Sequence, residues 1–221
     1  MEIKVMTDIL DANEQLARSV NARFSEKGIF VLNLLGSPGC GKTSLLEKTI
    51  ADLKGDIRIA VIEGDLFTSK DAERIERHGV PVIQINTAGG CHLDAGMINS
   101  VIGDLDLEKL DLVIIENVGN LVCPAEFDIG EDAKATVLSI TEGEDKPLKY
   151  PLVFRKSDAI VLNKMDLLPY TSFDLDAAVR DIKGINPEAV LVRASCRTNE
   201  GLGEWYDWLK LQVRKKRKTG E

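Results

Sequence analysis

Apolar residues recur along the chain in two alternating rhythms. Ile9, Leu10, Ala12, Leu16, Val20 and Phe24 stand at helical spacing among polar residues and stop at Gly28, which predicts a leading amphipathic helix over 8–24. A short apolar run at 29–35 then feeds a glycine-rich turn, and 44–53 returns to the helical period. This reads as strand, loop, helix. The same alternation predicts strands at 57–62, 80–85, 112–115, 135–140, 159–162 and 189–192, with helices at 69–77, 93–102, 175–182 and 202–213. Strand and helix segments in alternation imply parallel pairing through crossovers, and near-continuous apolar strands fit a sheet covered on both faces. The expected fold is therefore α/β, a three-layer sandwich around a mostly parallel central sheet.

Composition narrows the picture further. The chain has 221 residues, which is enough for one substantial core, and no internal repeat or Pro/Gly/Ser-rich linker divides it, so one domain over 1–221 is expected. With 44% hydrophobic and 29% charged residues, disordered and fibrous classes are excluded. The net charge of -8 argues against binding nucleic acid or an anionic membrane, although a small charged ligand stays possible. No apolar run approaches the roughly 20 residues of a membrane helix, and the N-terminus lacks signal-peptide character, so the expected location is cytoplasmic. The basic run RKKRK at 214–218, within a tail at 214–221, reads as a solvated helix end favoured by the helix dipole.

Directly after the first predicted strand stands GSPGCGKT at 36–43, matching G-x-x-x-x-G-K-[ST] in the setting that pattern requires. Its glycines let the backbone curl so that successive N–H groups face one anion, and the following helix aims its positive end at the same point. The cradle comprises Gly36, Ser37, Gly39, Cys40, Gly41, Lys42, Thr43 and Ser44. Lys42 is expected to reach the β and γ phosphates, and Thr43 to offer its hydroxyl to Mg²⁺. The base is chosen by Asn163-Lys164-Met165-Asp166, which resembles the N-K-x-D guanine signature of P-loop GTPases. Asp166 can accept from both N1–H and the exocyclic amine of guanine, a pair adenine cannot offer. Lys164 can lie along the base and Asn163 can brace the loops. Ala194-Ser195-Cys196 resembles the short loop that donates a backbone N–H to the guanine oxygen, with Ser195 as its representative.

The strand that ends at Glu116 continues Asn-Val-Gly119, an E-x-x-G version of the GTPase D-x-x-G switch. Glu116 is expected to touch Mg²⁺ directly or through water, and Gly119 to meet the γ phosphate through its N–H. Glu63-Gly64-Asp65 is a candidate first switch, with Asp65 either a further Mg²⁺ partner or a helix cap or loop charge. No glutamine occurs in 117–123 to orient water, so intrinsic hydrolysis is expected to be slow. Cys91 and His92 in AGGCHLD, with Cys123 in ENVGNLVCP, form a set that suits Zn²⁺ or Ni²⁺ and not Mg²⁺. Cys40 and Cys196 read as local packing.

Together GSPGCGKT, GGCHLD, ENVGNLVCPAEFD, TEGEDKP and NKMDL resemble the HypB family of hydrogenase nickel-incorporation GTPases over nearly the whole chain. The resemblance implies a SIMIBI-class P-loop NTPase fold, GTP-dependent homodimerisation, and a metal site where Cys91, His92 and Cys123 of two subunits meet. It also implies delivery of nickel to the precursor of a [NiFe]-hydrogenase large subunit, with a HypA-type nickel chaperone as partner. Some family members carry an N-terminal cysteine- or histidine-rich nickel stretch, which is not found in this sequence. Lys149 either reaches toward a partner's nucleotide or is a solvated surface lysine. Competing readings are a urease-type nickel GTPase, a regulatory GTPase acting only through protein partners, and a P-loop kinase.

Overall fold

The computed structural model describes residues 7–65 and 70–219, with side chains over 10–65 and 70–218. The side chain of Ile9, residue Ser69 and both ends of the expected terminal segments lie outside the described residues. The leading helix α1 (Thr7–Ser25) runs into β1 (Phe30–Gly36), followed by α2 (Lys42–Leu53), β2 (Ile59–Asp65), α3 (Lys70–Glu76), β3 (Val82–Asn86) and α4 (Ala95–Val101). The second half adds β4 (Leu112–Glu116), α5 (Cys123–Glu126), β5 (Ala133–Ser139), α6 (Lys146–Lys149), α7 (Pro151–Arg155), β6 (Ala159–Asn163), α8 (Leu175–Ile185), β7 (Val190–Arg193) and α9 (Leu202–Thr219). The strands form one sheet in the order β3-β2-β4-β1-β5-β6-β7, with every pairing parallel.

Alternation along β1 shows why both faces are covered. Phe30, Leu32 and Leu34 point into a cluster with Leu45 and Ile50 of α2 and with Trp205 and Leu209 of α9. Val31 joins Val20 and Phe24 of α1 and Ile98 of α4, and Leu35 joins Phe154 of α7 and Ile182 of α8. This is the expected three-layer arrangement. Because all strands run the same way, the carboxyl ends of β1, β2, β4 and β6 open on one edge, where ligands of such sheets bind. That edge collects Gly36, Asp65, Glu116 and Asn163.

The basic run near the C-terminus departs from the expected solvated helix end. Lys216 donates to Ser25 Oγ (2.6 Å) and Asp132 Oδ1 (2.5 Å), and Arg217 pairs with Asp111 (2.6 Å), while Arg214 and Lys218 are exposed. The physical reason is complementary charge: Asp111 and Asp132 immediately precede β4 and β5, at the edge of the sheet that α9 crosses. Among the described residues, no helix is long and apolar enough to cross a membrane.

Candidate functional site

The phosphate loop leaves β1 at the sheet's carboxyl edge and delivers the chain to the N-terminus of α2. Gly39 (φ 76°) and Gly41 (φ 101°) take left-handed conformations there, and a Cβ on Gly41 would collide with the side-chain amide of Asn163. The first turn of α2 carries no acidic residue, so its partial positive charge faces the loop unopposed. Lys42 donates to Gly36 O (3.3 Å) across the loop. The Ser37 hydroxyl is buried without a hydrogen-bond partner among the described residues. Cys40 has its thiol fully buried in the core, and burial pushes that thiol up to about 11, so it serves as packing. A cavity of about 530 Å³ lies over the loop, walled by Thr43, Ser44, Glu63, Asp65, Glu116 and Gly119.

One corner of this cavity suits a hard cation. Thr43 Oγ1 donates to Glu116 Oε1 (2.9 Å), and Glu63 stands opposite Glu116 in the pairing of β2 with β4. Both carboxyls are buried, at 3% and 4% exposure, and each keeps one buried oxygen without a hydrogen-bond partner. Burial raises both above the ordinary carboxylate range, Glu63 further because Glu116 adjoins it. A hydroxyl and two carboxylates with orphaned oxygens fit the oxygen-ligand chemistry of Mg²⁺. Asp65 is half-buried at the cavity mouth, and its carbonyl accepts from Thr87 N–H (2.9 Å). The sequence places Glu63 and Asp65 in one candidate switch and gives the Mg²⁺ role to Asp65, whereas the carboxylate that faces Glu116 is Glu63, set inside an otherwise apolar strand. Sequence reading missed Asp71 and Arg74 of α3, which line the same cavity and pair with each other (3.0 Å).

Two further loops close on the phosphate loop. A Cβ on Gly119 would lie 2.9 Å from Pro38 Cγ and 3.0 Å from Pro38 backbone atoms, so the E-x-x-G segment can approach this closely only through glycine. On the other side, Asn163 Nδ2 donates to Cys40 O (2.9 Å) and its Oδ1 accepts from Cys196 N–H (3.3 Å), bracing both loops as expected. Lys164, at φ 64°, donates to Gly39 O (2.7 Å). Asp166 lines a smaller cavity of about 270 Å³ with Leu167 and Cys196.

In the loop 194–196 the Ser195 backbone N–H donates to Glu200 O (2.9 Å), closing a local turn. The Ser195 hydroxyl donates to Asp166 Oδ1 (2.6 Å) and orients that carboxylate. Arg197, absent from the sequence reading, brings its guanidinium to 3.8 Å from Asp166. Lys149 pairs with Asp145 on the exposed side of α6.

The soft-ligand set converges within a single chain. The ligand atoms of Cys91, His92 and Cys123 all lie within 4.8 Å of one another, with Cys91 exposed and the other two half-buried. Cys91 Sγ is 3.5 Å from His92 Nδ1. His92 stacks on Phe127 (4.1 Å between centroids), and burial lowers its affinity for protons, so it offers a neutral imidazole. The adjoining Cys123 thiol raises Cys91. Two sulfurs and one imidazole leave a position open for a fourth ligand in a tetrahedral or square-planar sphere.

A family model described as the CobW/HypB/UreG nucleotide-binding domain matches residues 30–193. The chain is 50% identical over 210 residues to hydrogenase maturation factor HypB of Azotobacter vinelandii, covering 95% of this chain and 69% of that one. Among solved structures, HypB from Archaeoglobus fulgidus superposes with a TM-score of 0.87 at 37% identity, over 92% of this chain and 100% of that one. HypB from Helicobacter pylori, crystallised in complex with nickel, gives 0.87 at 38% identity, over 92% and 96%.

Proposed function

This chain belongs to the CobW/HypB/UreG family, among the hydrogenase maturation factors HypB, and from that premise we propose that it is a GTP-hydrolysing nickel carrier. The observation that carries the reading is the convergence of Cys91, His92 and Cys123 within 4.8 Å, with Cys123 four residues beyond Gly119 of the phosphate cavity. The cargo is Ni²⁺, with Zn²⁺ as the competing ion for the same donors. The nickel complex of the Helicobacter pylori relative supports the choice.

In this reading the N–H groups of the phosphate loop and Lys42 hold the β and γ phosphates, and Asp166, oriented by Ser195, selects guanine. Thr43 and Glu116, with Asp65 at the mouth, hold Mg²⁺, which neutralises charge on the phosphates. Gly119 senses the γ phosphate from its place against Pro38. Hydrolysis is slow because 117–123 contains no glutamine to orient water. Asn117, which lines the phosphate cavity, already accepts from Leu93 N–H and Val118 N–H, at 3.0 Å each. Ordering of 116–123 by GTP positions Cys123 and builds a dimer face, next to which Val122 is 49% exposed. A second copy can fill the open ligand position. A HypA-type chaperone and the precursor of the hydrogenase large subunit are the protein partners, and the location is cytoplasmic.

The test separates a carrier from a purely regulatory GTPase. Cys91→Ala and Cys123→Ala are expected to lose nickel binding in equilibrium dialysis while keeping GTP hydrolysis. Retention of nickel by both variants would remove the carrier role and leave a nucleotide switch.

A further inference from the structure

The side chain of Asn120 stands between the two halves of the soft-ligand set. Its amide nitrogen donates to Cys91 O (3.2 Å), and its amide oxygen accepts from the N–H of Val122 (2.9 Å), the residue before Cys123. Its own backbone N–H donates to Gly36 O (3.1 Å), where β1 becomes the phosphate loop, and the two residues form an isolated antiparallel bridge. The neighbouring Gly119 is pressed against Pro38. A shift of this segment relative to the phosphate loop is therefore passed through one amide to both cysteine-bearing segments.

A local turn before α5 accounts for only one of these bonds. An acceptor at Asn120 satisfies Val122 N–H as a local turn, whereas the bond to Cys91 O spans 29 residues and serves no capping purpose. Asn117 grips the same loop on the other side of His92, through Leu93 N–H (3.0 Å), and anchors it to Asn33 of β1 (3.3 Å). With the Cys91 carbonyl and the Leu93 amide both held from the switch segment, the loop cannot move independently of it.

We infer that Asn120 is a positioning residue: it sets the separation of the Cys91 and Cys123 thiols and makes that separation follow the nucleotide held by the phosphate loop. This deepens, and rests on, the reading of those thiols as a nickel site. The position needs a donor and an acceptor on separate atoms, which a hydroxyl does not offer. Aspartate keeps the acceptor for Val122 N–H and lacks the donor for Cys91 O.

The test measures Ni²⁺ affinity by competition with a chromophoric chelator, with GDP and with a non-hydrolysable GTP analogue. It compares the unaltered protein with Asn120→Ala, Asn120→Asp and Cys123→Ala. In the unaltered protein the two affinities are expected to differ by about 5- to 150-fold, the usual span of allosteric coupling. In both Asn120 variants they converge to within about twofold, while nucleotide affinity holds because the bond to Gly36 O uses the backbone. Asn120→Asp keeps its melting temperature, since the turn to Val122 survives, which separates loss of positioning from loss of stability. A nucleotide-dependent difference that persists in Asn120→Asp overturns the inference while leaving the nickel site standing. Unchanged nickel affinity in Cys123→Ala overturns the site itself and the inference with it.

Discussion

Glu63 and Glu116 face each other from neighbouring strands inside a closed corner, and their shared burial has a pH consequence. Their folded proton affinities are raised, so the native state holds a proton that the unfolded chain releases. The stability they allow is present below the ordinary carboxylate value, about 4.3 for glutamate, and declines as pH rises toward the raised values. In chelator-treated protein the melting temperature is expected to fall between pH 5 and pH 8, and Mg²⁺ or the change Glu63→Gln to flatten that slope. A flat profile without Mg²⁺ would mean the carboxylates do not compete. Asp166→Asn is expected to weaken GDP binding by about 10- to 150-fold, since a hydrogen bond to a charged group contributes about 1.5–3 kcal/mol. Ser195→Ala should cost less, because Ser195 reaches the base only through Asp166. Displacement of fluorescent GDP measures both, and an equal loss in the two variants would contradict the ordering.

At the scale of elements, the strands and long helices were legible because each carries a periodic apolar face deep in one of the clusters. β1, β4 and β6 are buried along their whole length, and the expected runs match them to within a residue or two. The short helices α5, α6 and α7 were not legible. At four or five residues they show no period, and each has proline in its first turn, a sign that marks a start without announcing a length. The end of α9 was legible as helix and not as a contact, because its partners Asp111 and Asp132 are distant in sequence. Asp111 is buried and joins Arg58 (2.7 Å) to Arg217 (2.6 Å). Burial works against its charge, yet bonds from Arg58 and Arg217 hold its carboxyl well below the usual range. Its contribution is present above about pH 4 and is lost as pH falls further. Asp111→Asn is expected to destabilise the protein by about 1.5–3 kcal/mol in urea titration at pH 7, and Arg217→Ala by less. A neutral effect would show that α9 is held by Trp205 and Leu209 alone.

Across the whole molecule, the parallel sheet places the phosphate loop, the E-x-x-G segment and the loop at Asn163–Asp166 on one edge, and Asn120 links the Cys91 loop to that edge. The nucleotide half of the site was legible since its motifs are contiguous and each follows a strand. The facing of Glu63 and Glu116, Arg197 and the amide links of Asn117 and Asn120 were not, because they arise from register and loop contact between distant segments. The proximity of Cys91 to Cys123 within one chain likewise depends on folding, and it makes three ligands available before any second copy arrives. In the proposed function, guanine nucleotide governs how this chain holds a soft metal and pairs with itself. Sedimentation with GDP or a non-hydrolysable GTP analogue, with and without Ni²⁺, reads subunit count and bound metal together. Dimers with thiol-bound nickel are expected in the analogue state, and monomers with weaker nickel binding in GDP. The same mass and the same nickel content in both states would contradict that function.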